Sequence, residues 1–153
     1  MNDLDTRRPL PALLTEVKMA AIRKLRLHMD LEGYGDIREG HGCVFGFIDL
    51  EHGSRLTDLA DASALTKQAV GEAVAELERL GYVERVPDPH DGRAKIIRLT
   101  DRGRAACLTG RSVFAEIEQQ WAEQVGEDLV ASLREAAERI AELEGAPARR
   151  AAA

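Results

Sequence analysis

Aromatic residues are scarce in this 153-residue chain, with one Trp, two Tyr and three Phe. A core must therefore be assembled mainly from Leu, Ile, Val and Ala. Cysteine is scarcer still. Cys43 and Cys107 cannot make a disulfide framework or a cysteine-only zinc site. No apolar run approaches the roughly 20 residues of a membrane span, which argues against an integral membrane protein. The opening MNDLDTRRPLPALL lacks the pattern of a secretory signal, so a reducing cytoplasm is the expected compartment. The chain has no glycine-rich phosphate loop, no nucleophile elbow and no paired acidic motif, which makes an enzyme the weakest reading. Its four histidines, His28, His41, His52 and His90, are scattered, and none pairs at i, i+4 with a third ligand nearby. Neither a metal nor another cofactor is expected. What is present, 44% hydrophobic and 31% charged residues, fits one soluble folded domain, at most with an extension.

The net charge of −6 argues, taken whole, against a nucleic-acid partner. Its distribution says otherwise. Between Arg85 and Arg104 stand six bases, Arg85, Arg93, Lys95, Arg98, Arg102 and Arg104, against Asp88, Asp91 and Asp101. Between Cys107 and Glu144, three arginines face nine acids. Phosphate contacts act within a Debye length of about 10 Å, so a compact basic segment outweighs a distant acidic one.

Residues 1–9 are polar and expected to be flexible. Apolar residues at Leu10, Leu14, Val17, Ala21 and Leu25 form a helical stripe, with Pro11 in the first turn and Gly33 at the stop. YGDIREGHG (34–42) reads as a loop. A short apolar helix follows with Val44, Phe45, Phe47, Ile48 and Leu50, ending at His52-Gly53. Thr57 is placed to cap a short helix, LTDLADAS. Thr66 is placed to cap a second, KQAVGEAVAELERL, closed by Gly81. In the second, Val70, Val74 and Leu77 face inward. Two short helices joined by about three residues form a helix-turn-helix. Tyr82–Val86 and AKIIRL (94–99) read as strands around the turn signal Pro-Asp-Pro-His-Asp-Gly (87–92), a charged hairpin or wing. Thr100 caps a long helix with Val113, Ile117, Trp121 and Val125 on one stripe. After Gly126, Leu129, Leu133, Ala136, Ile140 and Leu143 form nearly a heptad seam. The tail, 145–153, has no packing pattern and is expected to be disordered.

From about His41 to Ala106 the chain resembles the MarR family of bacterial regulators. The resemblance rests on LTDLADASALTKQAVGEAVAELERLGYVER, on the wing segment DPHDGRAKIIRLT with Asp88, Asp91 and Arg93, on Leu99-Thr100, and on Asp101-Arg102-Gly103. It implies a mainly α fold with a small β-hairpin wing: a winged helix-turn-helix over 41–100, with dimerisation helices over 10–33 and 101–144. It further implies a cytoplasmic homodimer, not an enzyme, that binds a pseudo-palindromic operator in double-stranded DNA as a ligand-responsive repressor. The recognition helix, about 66–80, would enter the major groove and the wing, 83–99, would reach the minor groove.

The resemblance makes Thr66, Lys67, Gln68, Gly71, Arg93 and Lys95 the DNA-binding residues. Lys67 suits a phosphate or guanine, Gln68 suits adenine, and Arg93 would insert into the minor groove. Asp91 and Asp88 would support the wing tip by hydrogen bonds or an ion pair to Arg93. Ala69, Gly71, Glu72 and Ser63 depart from the family pattern, so base-specific contacts are expected to be few. A small anionic aromatic ligand would bind between the DNA-binding lobe and the dimer helices, near Lys18, Arg23, His28, Phe45 and Phe47. Two alternatives stand beside this reading. One is a helical dimeric interaction module without DNA binding, motivated by the net charge. The other is a redox-sensing regulator acting through Cys43, which lies near a helix start, where a thiol pKa falls.

Overall fold

The structure, a computed structural model, describes residues 7–145. The expected flexible start and disordered tail fall largely outside that span. Helix α1 runs Leu10–Leu31 and starts on Pro9, with a second proline in its first turn. It stops where Gly33 turns left-handed at φ 86°, and the Tyr34 amide reaches back to the Met29 carbonyl at 2.8 Å. That is the hydrogen-bond pattern of a glycine-terminated helix.

The apolar helix expected after the first loop is shorter than its sequence suggests. A 3₁₀ turn, Glu39–His41, leads into a single turn of helix, α2, Gly42–Phe45. Phe47, Ile48 and Leu50 lie in the non-helical segment beyond it. A two-residue strand, β1, Ser54–Arg55, then precedes α3, Leu56–Ser63. Thr57 does not cap α3. The cap position is Arg55, which makes no side-chain cap bond, and the Thr57 hydroxyl turns to Asp58 instead. Thr66 does cap α4, Lys67–Arg79, accepting from the Ala69 amide at 3.1 Å. Gly81 ends that helix at φ 80°.

Strands β2, Val83–Asp88, and β3, Asp91–Leu99, pair antiparallel, with Val83 opposite Leu99 and Asp88 opposite Asp91. The turn between them is therefore only Pro89-His90, tighter than the six-residue signal suggested. β1 pairs with the other edge of β3, giving the order β1-β3-β2. Helix α5, Asp101–Val125, begins on Thr100, whose hydroxyl accepts from the Gly103 amide. Gly126 separates it from α6, Glu127–Leu143.

The main core lies under the helix-turn-helix. Val70, Val74 and Leu77 of α4 are fully buried there beside Val44, Leu59 and Tyr82. Each such side chain contributes about 1.5–3 kcal/mol by leaving water. A second, small cluster of Ala21, Val113 and Ile117 joins α1 to α5. By contrast, α6 buries no residue, and Leu129, Leu133, Ile140 and Leu143 stay exposed.

Candidate nucleic-acid interface

The fold turns the inward stripe of α4 into its anchor, so the opposite face stands free. Lys67, Gln68 and Glu72 are exposed on α4, and Gly71 is half-buried. The nearest atom to a Cβ built on Gly71 is a Leu56 methyl at 3.9 Å, so the fold does not demand glycine there. Thr66 uses its hydroxyl oxygen as a helix cap, which leaves its O–H free to donate outward.

On the wing, Arg93 and Lys95 are exposed. The Arg93 amide donates to Asp91 Oδ1 at 3.1 Å, but its guanidinium has no hydrogen bond or ion pair among the described residues. Asp88 does not pair with Arg93. It is buried, accepts the His90 amide at 2.8 Å, and takes the Arg55 Nε at 2.7 Å. The His90 amide and then the Arg55 guanidinium hold its carboxyl below the usual carboxylate range. Arg55 thus ties the edge strand and the start of α3 to the wing turn. Sequence reasoning missed this residue, because a two-residue strand carries no alternation to read.

A second missed feature joins three segments. Tyr82 is fully buried, and its hydroxyl donates to Asp36 Oδ1 while accepting from Arg102 Nη2 at 2.9 Å. Arg102 also bonds Asp36 at 3.1 Å and the Leu80 carbonyl at 2.8 Å, and its Cζ lies 4.3 Å from the Tyr82 ring centre. The loop after α1, the exit of α4 and the start of α5 meet at this point. His41 does similar work behind α4. Its Nδ1 accepts the Arg38 amide, so its Nε2–H donates to Glu76 Oε2 at 3.1 Å.

A tri-helical lobe with an outward polar helix and a basic hairpin beside it is a winged helix. Residues 38–94 match the family model described as MarR family. Its winged helix is thus similar to those of the MarR family. A curated relative, the HTH-type transcriptional regulator BilQ of Clostridioides difficile (strain CD3), is 24% identical over 91 residues, 57% of this chain. The match spans 62% of that relative's length. Apo MarR from E. coli superposes with a TM-score of 0.69 at 23% identity, covering 88% of this chain and 98% of its own. A mutant of S. aureus MepR bound to an oligodeoxyribonucleotide gives a TM-score of 0.58 at 22% identity, over 89% of this chain and 98% of its own. The MarR fold therefore extends well beyond the matched segment.

Within this fold, Lys18, Arg23 and His28, expected near a ligand, lie on α1, while Phe45 ends α2 and Phe47 follows it. Arg23 borders an open depression along α1 with Thr15, Glu16, Val17, Met19 and Ala20. Lys18 is exposed elsewhere on α1, and His28 bonds the Lys24 carbonyl through Nδ1 at 2.9 Å. Phe45 packs edge-on against Tyr82, and both Phe45 and Phe47 support the main core. Cys43 gives the redox alternative no support. It is buried and donates to the Gly40 carbonyl, and burial pushes its thiol pKa up rather than down. Helix α2 has only four residues, too short for its dipole to offset that desolvation. Burial likewise raises Cys107. Among the described residues no group of three or more His, Cys, Asp or Glu is placed to hold a metal ion, and no helix is long and apolar enough to cross a membrane.

Proposed function

We propose that this protein is a homodimeric, DNA-binding transcriptional repressor of the MarR type, acting in the cytoplasm by binding rather than by catalysis. The observation that carries the reading is the pairing of two free elements. The outer face of α4 is polar and unobstructed, and the guanidinium of Arg93 stands on the adjacent wing without a partner among the described residues. Thr66, Lys67, Gln68 and Gly71 face the major groove in this reading, while Arg93 and Lys95 meet the minor groove and its phosphates. Asp91 and the Asp88–Arg55 pair keep the wing tip in place. A protein of the same fold binds an oligodeoxyribonucleotide.

Residues 10–33 and 101–144 supply the dimer interface. Support comes from the apolar residues left exposed on α1 and α6, among them Leu10, Leu14, Leu129, Leu133 and Ile140. The dimer sets two recognition helices about one helical turn apart. A small anionic aromatic effector between the winged-helix region, 41–100, and the dimer helices would regulate it, with Lys18, Arg23, His28, Phe45 and Phe47 nearby. A 100-fold loss of DNA affinity needs about 2.7 kcal/mol of preference for the wrong spacing.

The test is enrichment of genomic fragments by purified protein at two salt concentrations, repeated with Arg93→Ala. Recovery of a few palindromic fragments, weakened by salt and lost in the variant, supports the reading. No enrichment at low salt refutes it and favours the interaction-module alternative.

A further inference from the structure

We propose that Glu72, steadied by Gln68, is the hydrogen-bond acceptor that selects cytosine in each operator half-site and so the specificity-determining residue. This rests on the DNA-binding reading above. At about 100° per residue, Gln68 and Glu72 both lie within about 30° of the direction opposite the Val70–Val74–Leu77 stripe. They therefore occupy the middle of the face that enters the groove, whereas Lys67 lies to one side of it.

Helix α4 carries three acids, and only one stands on that face. Glu76 is held by His41 and Arg38, and Glu78 by Arg85 at 3.4 Å. Glu72 has no ion pair among the described residues. Its contact is the amide of Gln68, whose Nε2 donates to Glu72 Oε1 at 3.2 Å. An ionised carboxylate only accepts, so this bond uses one Gln68 N–H; the amide keeps its second N–H and its Oε1, and it steadies the carboxylate. Glu72 Oε2 is thus left to accept from the groove.

In the major groove guanine shows only acceptors, and thymine shows an acceptor and a methyl group. Neither offers the Glu72 carboxylate a donor. Adenine offers its N6 amino group beside the acceptor N7, which the Glu72 carboxylate repels. Cytosine offers its N4 amino group with no acceptor of its own there, and Glu is a known type of partner for it. A carboxylate so near the phosphates weakens binding to all DNA alike. What it adds is discrimination at one base pair.

The experiment is selection from a randomised duplex library with the full-length protein, Glu72→Ala and Glu72→Gln, each checked for helicity by circular dichroism. The wild type should enrich one cytosine position in each half-site. Glu72→Ala should lose that preference by about tenfold or more at that position alone, while its affinity for non-specific DNA rises. Glu72→Gln should move the preference toward adenine, since its amide supplies a donor for N7. Unchanged preferences at every position, with a uniform rise in affinity, would overturn the proposal and leave Glu72 as a source of phosphate repulsion. A wild type that enriches no sequence would overturn the DNA-binding reading and this proposal with it.

Discussion

Replacing Tyr82 by Phe removes one buried oxygen and leaves the ring in place. The hydroxyl donates to Asp36 and accepts from Arg102 at 2.9 Å, and Tyr82 itself has no exposed surface. Hydrogen bonds to charged groups contribute about 1.5–3 kcal/mol each. That figure must be discounted here, because the side chains of Asp36 and Arg102 are 36% and 47% exposed and keep each other at 3.1 Å. The contact of Arg102 with the ring face also survives. A net loss of about 2 kcal/mol follows, or about 4–8 °C in Tm for a chain of this size at fixed protein concentration.

The pH dependence supplies an independent check. Burial, and then the neighbouring Asp36 carboxylate, push the Tyr82 hydroxyl up to about 12. A raised pKa means that its contribution is whole below the ordinary value of about 10 and fades as pH climbs from there toward 12. Asp36 is shifted downward, chiefly by the Tyr82 hydrogen bond, so its contribution holds above the ordinary carboxylate pKa and fades as pH falls through the lowered one. Thermal and urea unfolding of both proteins at neutral pH, and again at stepwise rising alkaline pH, would measure this. Equal stabilities at neutral pH would refute the reasoning, as would a gap that does not close in alkali.

Further expectations concern the backbone, the helices and the thiols. Ala64 takes a left-handed conformation, φ 56°, at the end of α3, so Ala64→Gly should raise stability by about 1 kcal/mol in urea unfolding. A Cβ on Gly103 would fall 1.9 Å from the Tyr82 carbonyl oxygen, so Gly103→Ala should destabilise by about 3 kcal/mol or fail to fold. Leu133→Asp on the unburied α6 should shift sedimentation toward monomer while circular dichroism keeps its helical signal. A thiol reagent should label Cys43 much more slowly in the folded protein than after denaturation, and peroxide should not release DNA through it.

Much of this fold was legible because its signals are local. Thr66 and Thr100 cap the helices they precede, Gly33 and Gly81 end the helices they follow, and the Val70–Val74–Leu77 stripe is buried as its spacing implies. Thr57 misled because a hydroxyl residue one position inside a helix looks the same in sequence as one at its cap. β1 was silent, since two residues show no period. The Arg55–Asp88 bond and the Tyr82–Asp36–Arg102 cluster were silent for a different reason. Their members lie 33, 46 and 20 residues apart in the chain, and only the folded sheet and helix ends bring them together. The thiols show the limit of positional arguments: a helix start lowers a pKa only when burial does not act more strongly against it.

The central claim is that two copies of this chain address two half-sites through α4 and the wing. Hydroxyl-radical footprinting of an enriched fragment, with the stoichiometry measured on the same complex, tests it most directly. The account predicts two chains per site and two symmetric protected regions about one helical turn apart, with the outer minor-groove protection lost in Arg93→Ala. A single protected region occupied by one chain, or protection that moves uniformly along the fragment, would contradict it.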